Sequence, residues 1–356
     1  MSAGRGLQVE LAGPDDAADL AAIYASDDGF PGRIAVSFRR GSNPLASLGQ
    51  EGDRVVVPLV REAASGSPVG MGACVIRPSV VAGRMVTVGY LTGLKVVPRF
   101  RRSPLALAAM PAMYGFLQRQ VPEVELFTTT ILDENRAAIT LLEKGHRGMP
   151  EYRRVGHVTT CALHRHWRPP ELRQDRLRLV RGSLEELLAA REHDGLADLA
   201  LLTAPPALGG QDAWLLRDRR GGALAGCAVW DQRHHKQHVV TSYSSAMSLA
   251  RRLPMHLVDL PRMPRPGAVA DEAAICLPWA RGGDPGLLST LLRGVGWRES
   301  HRDYLLVAAL DDSPLGRALQ AERAIRYGSR LYTVHFPDSP QHTLRPMTTD
   351  VEVGLL

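Results

Sequence analysis

The residues best placed to do chemistry lie in "VVPRFRRSPLALAA" (96–109), where Arg99, Arg101 and Arg102 precede a Ser-Pro step and an alanine-rich apolar run. Ser103 suits a helix N-cap, because its hydroxyl accepts from a free backbone N–H one turn on. Pro104 then falls on the first helical position, where its missing N–H is not needed. The arginines therefore crowd a helix start, where unpaired N–H groups and the positive end of the dipole already favour an anion. The expected chemistry is the holding of a phosphate; a solvated basic loop is the alternative. A second constellation, "RHHKQH" (233–238), offers His234, His235 and His238. A polar hairpin loop is the plainer reading than a metal site. Cys74, Cys161, Cys227 and Cys276 are widely spaced in apolar or strand-like contexts. They read as buried thiols of a reducing compartment, not as a disulfide frame.

The elements that must position these groups follow from patterning. Residues 7–11 read as a strand and 13–24 as a helix with acidic residues in its first turn. A polar stretch (26–44) follows. Residues 53–63 and 68–78 alternate as a hairpin pair, and 84–97, rich in Val, Thr and Tyr, is a strand leading into the arginine turn. Leu105 to Gln118 continues as a mostly apolar helix. A strand (124–132), a short helix (135–144) and a last strand (155–164) complete the block. "RHWRPPEL" (165–172) reads as a linker, after which the pattern restarts. Ser183 and Glu186 form a capping box at a helix start, 212–232 is a hairpin, and 271–296 repeats strand, Gly/Arg turn and helix. A strand over 301–310 and a Ser-Pro-opened helix follow. Element order recurs without sequence similarity, as in a duplicated fold with a diverged second copy.

Whole-chain numbers set limits. A length of 356 residues suits two domains, and 45% apolar residues are enough for real cores. Net charge is +6, yet only Lys95, Lys144 and Lys236 among 43 basic residues are lysine. Aromatics are 5%, with no basic face interleaved with rings, so a nucleic-acid partner is not expected. The first 169 residues carry 20 basic and 15 acidic side chains, which makes that half the mildly positive one. The start of the chain has no apolar signal core, and the longest apolar run is too short to span a membrane. A soluble cytoplasmic protein without a membrane partner is expected.

"LKVVPRFRRSPLA" (94–106) and "DENRAAITLLEKGHRGMPEY" (133–152), together with the doubled element order, resemble the GNAT superfamily of acyl-CoA-dependent N-acetyltransferases. The first stretch is similar to the family's Leu-x-Val-x-Pro-x-x-Arg and pyrophosphate loop, and the second to its Asn-x-x-Ala-x-x-Leu-Tyr-Glu-Lys-x-Gly-Phe. The resemblance implies an α/β fold of two tandem GNAT-like domains, each a mixed, mostly antiparallel sheet flanked by helices. The expected limits are 1–168, a linker at 169–173, 174–340 for the diverged copy, and a tail at 341–356.

It further implies acetyl-CoA or another acyl-CoA as co-substrate, no metal, and a small-molecule or peptide amine as acceptor. Leu94, Val96 and Val97 would pair with pantetheine, and Arg99, Arg101, Arg102, Ser103, Leu105 and Ala106 would hold the pyrophosphate. Asn135 would touch the pantetheine arm. The sequence departs from the pattern in three places. Pro104 replaces a loop glycine. Leu142 stands where many members have an acidic tyrosine, and Tyr90 where the fourth strand often supplies a glutamate base. Candidate replacements are Tyr152, Tyr90 and Glu134, each also readable as a packed or capping residue. Asp28, Phe38 and Arg39 are the expected acceptor-side residues. Asp284 is expected to repel a phosphate from the second copy. The alternative is a degenerate member of this fold that binds acyl-CoA or a protein partner without turnover.

Overall fold

A computed structural model describes residues 6–26, 34–101, 103–164, 176–194, 199–200, 208, 212–251, 262–337, 344 and 349–355. The first copy runs β1 (Leu7–Leu11), α1 (Ala17–Ala25), β2 (Ile34–Arg39), α2 (Pro44–Leu48), β3 (Arg54–Val56), β4 (Pro58–Glu62), β5 (Pro68–Val81), β6 (Arg84–Val96), α3 (Pro104–Gln120), β7 (Leu126–Leu132), α4 (Arg136–Glu143) and β8 (Glu151–His164). The second runs β9 (Arg178–Ser183), α5 (Leu184–His193), β10 (Leu199–Ala200), β11 (Asp212–Arg217), β12 (Ala223–Trp230), β13 (Gln237–Tyr243), α6 (Ser245–Ala250), β14 (Glu272–Ala280), α7 (Pro285–Arg298), β15 (Tyr304–Leu310), α8 (Pro314–Gln320) and β16 (Ala324–His335).

Local chemistry explains most helix starts. Asn43, Ser103, Asp284 and Ser313 each precede a proline at the first helical position, and each side chain accepts from an amide of the following turn. Ser183 caps α5 by accepting from the Glu186 amide, and the Glu186 carboxylate accepts from Arg217. The helix α3 runs through Pro111, as the expected helix over 105–118 requires. Its interior-facing Met110, Met113, Tyr114 and Leu117 are held by the sheet, and that packing offsets the lost hydrogen bond.

Fourteen strands share one mostly antiparallel sheet, whose continuous path is β1-β4-β5-β6-β7-β16-β8-β15-β14-β12-β11-β9. The last strand of each copy is exchanged. β16 pairs with β7, the fifth-position strand of the first copy, while β8 pairs with β15, its counterpart in the second. β8 and β16 also pair with each other from Ala324↔Leu163 to His335↔Glu151. No single cut in the chain separates two self-contained sheets, because each copy is completed by the other's final strand.

Side chains alternate across this sheet. Cys74 and Ile76 join α3 and α4 in one core, while Ala73 and Val75 join α1 and α2 on the opposite face. In the second copy α7 and α8 share a core with Cys227, Ile275 and Val307. Val351, Val353 and Leu355 cover the reverse face together with Leu187 of α5. A separate ribbon pairs β2 with β13, from Gln237↔Arg39 to Tyr243↔Ile34, and joins the copies a second time. The polar stretch expected over 26–44 thus contains a strand and leads into a helix. Among the described residues, no helix is long and apolar enough to cross a membrane.

Candidate functional site

The site begins where β6 leaves β7. The two strands are parallel over only three pairs, Val88↔Leu126, Gly89↔Phe127 and Tyr90↔Thr128. Beyond Tyr90, β6 stays with β5 but changes register: Ala73 faces Thr92, whereas Met71 faces Lys95. One extra residue is accommodated in β6, and Gly93 takes φ +62° to do so. A bulge of this kind bends the strand away and opens the sheet, and only a glycine adopts that φ without strain. Leu94, Val96 and Val97 follow along the diverging strand; Leu94 is exposed, as are Leu105 and Leu107 of α3.

The arginine turn lies at the end of this strand. Pro98–Phe100 form a single 3-10 turn, and Ser103 caps the Leu105 amide at 3.2 Å. The amides of Arg101, Ser103 and Ala106 bond to the carbonyls of Pro98, Phe100 and Ser103. The donors expected to cradle a phosphate are therefore turned inward, and Pro104 has none. Arg101 reaches back with Nε to the Val96 carbonyl at 3.1 Å and with Nη2 to the Ser26 carbonyl at 3.3 Å. It ties the turn to the end of α1. Arg99 lies 4.8 Å from the centre of the Phe100 ring and is exposed. Arg102 lies outside the described residues. Across the opening, Asn135 is the N-cap of α4, its side chain accepting from the Ala138 amide at 3.2 Å.

The three candidate catalytic residues are not brought together. Tyr90 sits against the opening, on the face of Val75 and α1, and its hydroxyl bonds Thr130 Oγ1 at 2.6 Å. This bond spans the two diverging strands. Arg77 lies 5.6 Å from its ring centre, while burial raises the phenol's pKa. Tyr152 is on the other face, within the core of α3 and α4, where its hydroxyl bonds Tyr114 at 2.7 Å and its ring packs edge-on to Tyr332. Burial pushes this phenol well up. Leu142 is buried in the same core. Glu134 is exposed on the turn before α4. Its neighbour Asp133 is the engaged carboxylate, accepting from His157 at 2.8 Å and from Arg330 at 3.4 Å. Asp311 at the end of β15 holds the other nitrogen of His157 at 2.7 Å.

Phe38 and Arg39 lie in the ribbon between the copies. The Phe38 ring meets His238 edge-on with centroids 4.7 Å apart, and Arg39 is exposed. Asp28 falls outside the described residues. Beneath the ribbon is a charge cluster that residue spacing does not announce. Arg40 and Glu51 are 5% and 1% exposed and pair at 2.9 Å, while Lys236 approaches the same carboxylate at 3.8 Å. Arg40 also donates to Ser47, whose hydroxyl donates to the His235 carbonyl at 2.5 Å. Burial alone would raise Glu51, but Arg40 and Lys236 outweigh it and hold its pKa below the ordinary value. The "RHHKQH" stretch is thus an anchoring segment. Among the described residues, no cluster of His, Cys, Asp and Glu is suited to a metal.

The second copy repeats the opening and brings the chain's own polar groups to it. β14 and β15 are parallel over Glu272↔Tyr304 to Ala274↔Leu306 only. Leu277 takes φ +53° at the register shift corresponding to Gly93. Here the bulge amide donates to Glu352 Oε2 at 2.8 Å. Gln232 donates to the Gly354 carbonyl at 2.6 Å. At the following turn Asp284 accepts from the Gly286 and Leu287 amides at 2.7 and 3.2 Å. The helix start already holds a carboxylate of its own.

No protein-family model matches this chain, and no curated protein matches its sequence. Solved structures do match in shape. N-myristoyltransferase of Saccharomyces cerevisiae, bound to myristoyl-CoA, aligns with a TM-score of 0.57 at 9% identity over 98% of this chain and 90% of its own. A GCN5-related glucosamine N-acetyltransferase region of a fungal GH3 β-N-acetylglucosaminidase aligns at 0.59 with 13% identity, over 92% of this chain and 38% of that one. A candidate acetyltransferase of Pyrococcus horikoshii aligns at 0.51 with 13% identity, over 97% and 95%. Over nearly its whole length the chain has the fold that N-myristoyltransferase and the GCN5-related N-acetyltransferases display.

Proposed function

We propose that this protein is an acyl-CoA-dependent N-acyltransferase that moves a short acyl group, acetyl foremost, to a primary amine of a small molecule or peptide. The observation that carries the reading is the opened first copy. Its parallel strands part after three pairs, Gly93 bulges at the parting, and an arginine-rich helix start closes the same strand. The fold neighbours support the reaction class, since yeast N-myristoyltransferase binds myristoyl-CoA and the fungal region is described as a glucosamine N-acetyltransferase.

In this reading the coenzyme pyrophosphate meets Arg99, Arg101 and Arg102 at the positive end of α3. Pantetheine lies along Leu94, Val96 and Val97, flanked by exposed Leu105 and Leu107, with Asn135 across the opening. The amine attacks the thioester carbonyl directly, the sulfur leaves as thiolate, and the amine's proton passes to water, so no enzyme-bound acyl intermediate is needed. In this reading Glu134, exposed on the turn before α4, steers that water. The acceptor enters beside Phe38 and Arg39. A short acyl group suits the packed surroundings of Gly93, where a methyl added to the glycine would stand 2.7 Å from the Tyr24 hydroxyl oxygen.

Titration calorimetry with acetyl-CoA and with a longer acyl-CoA tests this. One site per chain with tighter or equal binding of acetyl-CoA is expected; no heat with either counts against the reading. The second reading, binding without turnover, draws on the commitment of both tyrosine hydroxyls, Tyr90 to Thr130 and Tyr152 to Tyr114. Thiol release from bound acetyl-CoA in the presence of amine mixtures separates the two readings.

A further inference from the structure

Tyr24 of α1 points at the bulge, yet no motif marks it. Its side chain is 4% exposed. Its hydroxyl is buried and makes no hydrogen bond of normal length and angle among the described residues, though the Arg40 guanidinium is close enough to pull its pKa down against burial. A buried hydroxyl left without a partner costs stability that a phenylalanine would not. The oxygen lies against Gly93, close enough that any Cβ there would stand 2.7 Å away. Two cations flank the ring, Lys95 Nζ at 5.3 Å and the Arg40 guanidinium at 5.9 Å from its centre. A cation over a phenol ring makes the hydroxyl a better donor. Burial keeps the phenol protonated, outweighing Arg40, so the group is a standing donor rather than a base.

Position gives the donor a target. From Val97 back to Gly93 the chain spans about 13 Å, and the 3-10 turn carries Arg99 beyond it, so a pantetheine arm can lie along β6. A coenzyme held at the arginine turn therefore brings its thioester to Gly93. Arg101 also bonds the Ser26 carbonyl just past α1. The turn that would hold the pyrophosphate and the helix that carries Tyr24 are thus fixed to each other.

We propose that the Tyr24 hydroxyl donates a hydrogen bond to the thioester carbonyl oxygen of the bound acyl-CoA and stabilises the oxyanion formed when the amine attacks. The inference rests on the acyl-CoA reading of the first copy. In the step itself the amine nitrogen forms a bond to the carbonyl carbon and the C=O electron pair moves onto oxygen. That charge is met by the Tyr24 O–H beside Lys95 and Arg40. Collapse of the oxyanion expels the sulfur as thiolate, and the amine's proton leaves to water. Tyr24 neither gains nor loses a proton.

The experiment uses the full chain, its Tyr24→Phe variant, and acetyl-CoA carrying carbon-13 at the carbonyl. Difference infrared spectroscopy of the bound ligand is expected to show the carbonyl band lowered in the wild-type protein. In Tyr24→Phe the band should return close to its free-solution position, with acetyl-CoA affinity changed less than about threefold. The Phe variant should melt at or above the wild-type temperature, because it removes an unsatisfied buried group. Turnover should fall about a hundredfold through kcat, as for other single oxyanion donors. An unchanged band, or a Phe variant that melts lower, overturns the proposal while leaving acyl-CoA binding intact. A wild-type chain that binds no acetyl-CoA overturns the acyl-CoA reading itself. Gly93→Ala, which drives a methyl onto the hydroxyl, should raise the band like Tyr24→Phe; a band left in place contradicts the assignment.

Discussion

The two copies share one backbone device and use it oppositely. In each, a parallel strand pair parts after three residue pairs and the outgoing strand bulges through a positive φ, at Gly93 in one and Leu277 in the other. In the first copy the bulge faces an unsatisfied hydroxyl and leads to three arginines. In the second the Leu277 amide is held by Glu352 and the helix start by Asp284. Backbone geometry is therefore not what would separate a ligand site from a structural one. The difference lies in whether the chain supplies its own carboxylates to the donors. A diverged copy can keep the sheet and its splay because the exchanged strands β8 and β16 need them, whatever becomes of the ligand.

The largest expected effect tests the contact that holds the copies together. Glu51→Ala leaves Arg40 and Lys236 buried without their shared carboxylate and should destabilise the chain by about 3–5 kcal/mol. Urea unfolding monitored by circular dichroism reads this. A loss below about 1 kcal/mol would mean that the ribbon of β2 and β13 docks without the cluster.

The next sharpens the account of the second copy. Burial pushes the Glu352 carboxyl up to about 7, against the opposing pull of Arg191 and the Leu277 amide. A carboxyl whose folded pKa is raised favours folding while protonated. Its contribution is complete below its unfolded pKa near 4.5 and is lost as pH rises through about 7. Over that window wild-type stability should decline by up to about 3 kcal/mol. Glu352→Gln keeps an acceptor for the Leu277 amide and should flatten the decline. Parallel curves for the two proteins in thermal melts from acidic to neutral pH would remove Glu352 from the account.

The smallest effect compares the arginines directly. Arg101→Ala should weaken acetyl-CoA binding roughly tenfold to a hundredfold, the value of a charged hydrogen bond. Arg281→Ala, at the corresponding turn of the second copy, should change it little, since the Asp284 carboxylate already takes the helix-start amides there. Equal losses in calorimetry would erase the distinction between the copies.

Much of this was legible in order along the chain. The strand at 84–96, the Ser-Pro helix start, the helix at 136–143 and the N-cap at Ser183 all have local causes in periodicity and caps. Other features have no local signal. β2 and β13 are hidden in polar stretches because each is only half apolar and finds its partner about 200 residues away. Tyr24, in an alanine-rich helix, has the sequence environment of an ordinary core residue. Tyr152 follows a motif helix, yet strand pairing turns it into the core beside Tyr114.

The amino-acid sequence by itself determined the element order, its duplication and the charged helix start, because caps, prolines and alternation act over a few residues. Only the tertiary structure decided which final strand completes which copy, and which bulge stays open. Those outcomes depend on long-range pairing and on carboxylates arriving from elsewhere in the chain. Glu352 reaches the Leu277 amide across 75 residues. No spacing rule connects them; only the packing of the 349–355 segment against the second copy brings that charge to that donor.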